Sequence, residues 1–157
     1  MKIGMSGHQD IPDEALAFIR REIASAVSEL AGELIGVSSL AAGADQLFAS
    51  LVLEHGGRLH IIIPSDGYET TFSDPHDVDQ FRSLLGRAET VERLSYPEPS
   101  EDAFFSAGRR VVEESDRLLA VWDGQPAKGK GGTADVVEYA RNRGRAVKII
   151  WPRGVKR

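Results

Sequence analysis

Two kinds of apolar pattern alternate along the chain. Short continuous apolar runs occupy Lys2 to Ser6, Leu34 to Ser38, Leu59 to Ile63, Leu118 to Trp122 and Ala146 to Trp151. Runs of this length, mostly apolar, predict strands, and the β-branched run from Leu59 to Ile63 is of the kind covered on both faces in a parallel sheet. Between them the apolar residues step by three or four. Leu16, Ile19, Ile23, Val27 and Leu30 form one such stripe, opened by Pro12 and Asp13 and stopped near Gly32. Ala44, Leu47, Phe48, Leu51 and Val52 form a second, ended by Gly56-Gly57. These spacings predict amphipathic helices. A further helix is expected from about Pro75 to Gly86. Another starts at the N-cap Ser100 and runs to about Ser115, with Phe104, Phe105, Val111 and Val112 facing the core. The last runs from Thr133 to Arg143, with Val136, Val137 and Ala140 inward.

Strand, helix, strand, helix, strand is the grammar of parallel strands with crossover helices. The pattern predicts one α/β domain over residues 1–157. It is a Rossmann-like three-layer fold, with a mostly parallel sheet of central order about 3-2-1-4-5 and helices on both faces. Thr90 to Leu94 reads as an additional short edge strand, and Pro64 as the close of the third strand. Ser65 to Asp79 reads as a loop near the ligand edge, and Arg153 to Arg157 as a short basic tail.

Composition narrows the function classes. The 157 residues are 41% hydrophobic and 27% charged, which suits one globular domain. With no cysteine in the chain, disulfides and thiolate chemistry are excluded. The four histidines are scattered without metal-ligand spacing, so no metal and no separate cofactor is expected. Nineteen basic against twenty-four acidic residues give a formal charge of −5. On that balance nucleic acid is an unlikely partner. No apolar run has transmembrane length, and the N-terminus has no signal-peptide layout. A cytoplasmic protein without membrane contact is the expectation.

The candidate chemistry lies in the connections that follow strands. Asp123 to Asp135 is a glycine-rich link from strand to helix, containing Gly131, Gly132 and Thr133 together with Lys128 and Lys130. Glycines admit a ligand close to the backbone, and free amides at a helix start face an anion. Ser6-Gly7-His8 and Ala42-Gly43-Ala44-Asp45 are two more small-residue links. A parallel sheet puts all three on one edge, where they converge on one ligand. Neither a Gly-x-Gly-x-x-Gly fingerprint after the first strand nor a Gly-Lys-Ser/Thr loop occurs. Asp45 reads as a partner of a ribose hydroxyl or as a first-turn acid. Asp135 reads as a catalytic carboxylate or as a complement to the helix dipole. Arg109 and Arg110 read as phosphate ligands or as a solvated face with Glu113 and Glu114. Tyr68 and Phe72 read as base-stacking or packing aromatics, with Trp122 at the flank.

Taken together, Ser6-Gly7-His8, Ala42-Gly43-Ala44-Asp45, the Asp116 to Asp123 strand and Gly131-Gly132-Thr133-Ala134-Asp135 resemble the SLOG superfamily. These are Rossmann-like nucleotide-binding proteins that include the Lonely Guy phosphoribohydrolases and the DNA-processing protein A group. The resemblance covers nearly the whole chain. It implies a small-molecule nucleotide or nucleoside phosphate as ligand, and pairing into homodimers. In the enzymatic members a Pro-Gly-Gly-x-Gly-Thr-x-x-Glu loop and an arginine on the preceding helix cleave the N-glycosidic bond of a nucleoside 5′-monophosphate. The resemblance sets Gly131-Gly132-Thr133 at the phosphate and either Arg109 or Arg110 at the arginine position. Asp135 is the acid nearest the glutamate position, although Val136 follows it and the leading proline is missing.

Overall fold

The computed structural model describes residues 1–126 and 132–157. Among the described residues six strands and five α-helices alternate: β1 (Lys2–Gly7), α1 (Asp13–Ser28), β2 (Ile35–Ser38), α2 (Ala44–Glu54), β3 (Arg58–Ser65), α3 (Pro75–Gly86), β4 (Thr90–Tyr96), α4 (Glu101–Glu113), β5 (Arg117–Val121), α5 (Thr133–Asn142) and β6 (Ala146–Ile150). All strand pairs are parallel, in the order β4-β3-β2-β1-β5-β6. The five strong runs of the sequence thus stand in the expected order. The weak run near Thr90 adds a sixth strand outside β3.

Alternating side chains on each strand feed two cores, because successive residues of a strand point to opposite faces. Ile3, Met5, Ile61, Ile63, Leu119 and Val121 pack with Ile19, Ile23 and Val27 of α1, Phe48 of α2 and Phe81 of α3. Val37, Ile62 and Leu118 pack on the other face with Ala107, Val111 and Val112 of α4 and with Val136 and Ala140 of α5. The chain therefore lays α1 to α3 on one side while it moves outward from β1 to β4. It then returns across the sheet through α4 to β5, on the opposite side of β1. Where the direction reverses, the loops after β1 and β5 diverge and leave a crevice at the strands' carboxyl ends.

Some local expectations shift. Leu16 lies on the solvent side of α1, and Ala15 takes its place in the buried stripe. Phe105 stays outside the core, edge-on to Tyr139 and beneath Arg109. Pro64 does not close β3, which continues to Ser65 through a register shift against β4. The stretch after it contains a turn of 3-10 helix at Tyr68–Thr71. The final residues fold back onto the domain, with Trp151 and Val155 packed against the main core.

Candidate functional site

A cleft of about 580 Å³ opens at the carboxyl edge of the sheet. That volume lies in the range of small-molecule sites. Ser6, Gly7 and His8 line it from the end of β1, Ser39 and Ala41 from the end of β2, Pro64 from β3 and Trp122 from just beyond β5. The starts of two helices complete it, Asp45 on α2 and Gly132, Thr133 and Ala134 on α5. α4 closes one side with Phe104, Ala107, Gly108 and Val111.

Two glycines let the loops after β1 and β2 pack together. A Cβ on Gly7 would lie 2.5 Å from the Ala44 Cβ. Gly43 has φ +83°, and a Cβ there would meet the Gln9 carbonyl oxygen at 2.3 Å. Gly43 itself does not line the cleft, so its role is to permit this contact. The α2 start is then tied down, with the Ala44 amide donating to the His8 carbonyl at 3.2 Å. Gln46 reaches back to the Leu40 carbonyl and across to that of Asp77. Leu40 sits in the left-handed region, at φ +57°, although it is fully buried. Backbone in that region costs about 1–3 kcal/mol for a non-glycine residue and persists where the surroundings hold it. Here it turns the loop so that Ser38, Ser39 and Ala41 face Asp45.

Asp45 is the buried acid of the cleft. Burial pushes its pKa up to about 7, while hydrogen bonds from the Ser38 hydroxyl and the Ala41 and Ser39 amides pull it back. The Ser38 hydroxyl accepts from the Leu40 amide at 3.0 Å, which aims its proton at Asp45. Tyr68 borders the same wall, in edge contact with Phe72, Phe81 and Phe104. Burial raises its hydroxyl pKa, and the nearby Asp45 raises it further. The wall therefore offers a phenol that stays protonated beside a carboxyl that exchanges its proton near neutrality.

His8 forms the junction on the other side. Its Nδ1 lies 2.8 Å from Arg157 Nη1, and its Nε2 lies 3.2 Å from Asp123 Oδ1. A guanidinium only donates, so Nδ1 accepts and the ring proton resides on Nε2, directed at the carboxylate. The Asp123 amide also lies 3.1 Å from Nε2, but a protonated Nε2 serves the carboxylate. Burial and the Arg157 charge both lower the His8 pKa, consistent with a neutral ring. Burial alone would raise Asp123, yet the Gln125 amide, His8 and Arg157 outweigh it and hold that carboxyl below the usual range. Trp151 stands edge-on to the His8 ring with centroids 5.5 Å apart.

The structure thus brings together Ser6, Gly7, His8, Asp45, Tyr68, Gly132 and Thr133 around one cleft. Asp123 lies behind His8 and outside the lining. Gly131, Lys128 and Lys130 fall outside the described residues. Arg109 projects over Phe105 and bonds Ser106. Arg110 is drawn toward Glu92 of β4, at 2.6 Å, and toward Glu114. Neither arginine lines the cleft, nor does Asp135 in the first turn of α5, whose neighbours Ala134 and Val136 do. Sequence reasoning missed Arg157 and Glu101, which both line it. Among the described residues no group of three or more acids and histidines is placed to hold a metal ion. None of their helices is long and apolar enough to cross a membrane.

No family model and no curated protein matches the chain. Solved structures do. DNA processing protein A from Streptococcus pneumoniae is similar with a TM-score of 0.68 at 18% identity, over 94% of this chain and 49% of that one. The chain shares the fold of that structure. The Helicobacter pylori DNA processing protein A is similar with a TM-score of 0.65 at 16% identity, over 95% of this chain and 64% of that one. The protein TM1055 follows with a TM-score of 0.60 at 15% identity, over 93% and 71%. The chain spans about half the length of the S. pneumoniae protein and less than two thirds of the H. pylori one. The H. pylori structure is described by its single-stranded DNA binding mode. That overturns the expectation, drawn from the charge of −5, that nucleic acid is an unlikely partner. Net charge averages over the whole surface, whereas binding depends on the potential at one face.

Proposed function

We propose that the cleft binds a nucleotide or nucleotide-derived ligand. The observation that carries this reading is the convergence of the β1, β2 and β5 loops with two helix starts at the sheet's reversal point. The caps support it. α3 and α4 begin with side-chain caps, Asp74 and Ser100. α2 and α5, which open on the cleft, begin with Gly43 and Gly132 and have no side-chain cap, and α1, which begins at Pro12, has none either. The start of α5 is suited to an anion supplied by a ligand, whereas the Ala44 and Gln46 amides of α2 already donate to the His8 and Ala41 carbonyls. In this reading the phosphate lies toward Gly132 and Thr133, and the sugar and base lie toward Asp45 and Tyr68. The reading is one of binding, because Arg109, Arg110 and Asp135 lie outside the lining. Pairing of two copies belongs to the same reading and is checked by sedimentation.

Isothermal titration against nucleoside mono-, di- and triphosphates tests the proposal. Saturable heat with at least one of them is expected. Silence across the panel, with circular dichroism showing folded protein, removes it. A second reading follows from the H. pylori neighbour: the occupant is one nucleotide unit of a single-stranded DNA. Anisotropy of a labelled oligonucleotide separates the two. A mononucleotide that binds but does not displace the oligonucleotide speaks against a shared site.

A further inference from the structure

The cleft's described cation arrives from far along the chain. Arg157 is the one lysine or arginine among the described lining residues, which also include the acids Asp10, Asp45 and Glu101. Its position is built. The Trp151 indole donates to the Val155 carbonyl at 2.8 Å, closing the last turn of chain, and both residues pack on the main core. Its Nη1 donates to His8 Nδ1, and its Nε lies 3.7 Å from Asp123 Oδ2. Neither contact uses Nη2. The side chain keeps 29% of its surface accessible, so it is anchored at one edge and open at the other.

Fixing a guanidinium in this way has a function in anion recognition. Arg otherwise loses rotamer freedom when it grips a ligand, and pre-positioning reduces that loss. A neutral histidine orients it without cancelling its charge, while Asp123 sits at the longer distance. The anchor comes off the end of β1 and the cleft shares that same loop, so the guanidinium and the start of α5 border one space.

We propose that Arg157 is the phosphate-binding residue of the cleft, with His8 and Asp123 as the residues that position it. This rests on the nucleotide reading above and assigns its phosphate contact. The test compares nucleoside 5′-monophosphates with their parent nucleosides, read by tryptophan fluorescence, since Trp122 lines the cleft and Trp151 stands edge-on to His8. The wild-type protein is expected to prefer the monophosphate. Arg157→Ala should weaken the monophosphate about 10- to 100-fold and leave the nucleoside within about 2-fold, as for loss of a charge-assisted hydrogen bond. Arg157→Gln keeps an N–H donor for His8 and loses the charge, so it should show the same selective loss without disturbing the tail. His8→Ala should fall between wild type and Arg157→Ala. Equal monophosphate affinity in wild type and Arg157→Gln overturns the assignment and leaves the nucleotide reading intact. Absence of binding to any probe in the wild type removes both.

Discussion

Asp45 is the residue through which pH acts most directly on this fold. Its carboxyl is protonated in the folded chain and ionised in the unfolded chain between about pH 4 and about pH 7. Unfolding in that window releases a proton, so this group's contribution to stability declines as pH rises. Asp123 and Glu114 act in the opposite sense, being held below the usual range when folded. A comparison with Asp45→Asn isolates the effect. In urea titrations wild type should lose stability relative to the variant between pH 4 and pH 7, by up to about 1.4 kcal/mol per pH unit, with a plateau above. A pH-independent difference would mean that Asp45 is ionised throughout. The sequence already marked Asp45, His8 and Tyr68, because each follows closely on an apolar run. The two arginines of α4 were open to a sharper reading. Phe104, Ala107, Gly108 and Val111 repeat at three and four, so one face of α4 meets the cleft and Arg109 and Arg110 lie round the helix from it. Arg157 had no such signal, since it meets His8 across 149 residues of sequence.

At the scale of elements, apolar periodicity fixed which segments form strands and helices, and the misses are local. Pro64 reads as a terminator, yet β3 accommodates it at a shift in register beside the edge strand β4. The weak signal of β4 has a physical origin. Only part of its surface is covered, and Glu92 and Arg93 mark an edge rather than a buried core. The glycines sort by what surrounds them. Gly43→Ala should cost at least about 2–3 kcal/mol, because it combines positive φ with a clash against backbone. Gly86→Ala, at the end of α3 with nothing within 4 Å of the new methyl group, should be neutral or stabilise by about 0.5–1 kcal/mol. Chemical denaturation of the two variants checks both values. A mild Gly43→Ala would show that the β1 and β2 loops yield more readily than their packing implies.

At the scale of the molecule, the same parallel sheet that gathers the cleft also sets the order in which the protein becomes complete. β1 pairs with β2 on one side and with β5 on the other, so Gly4 is in register with both Val37 and Leu118. The second partner lies more than a hundred residues downstream, and the amides of Lys2 and Asp116 are engaged only when it arrives. Residues 1–96 by themselves would hold four strands and leave the central strand β1 as an open edge. Such a fragment should aggregate or associate with itself, as measured by light scattering, and a monomeric, soluble fragment would contradict this. Long-range pairing of this kind also slows folding. On the ribosome, then, the N-terminal half emerges with its sticky centre uncovered. It must wait for α4 and β5 before the domain is safe from its own kind.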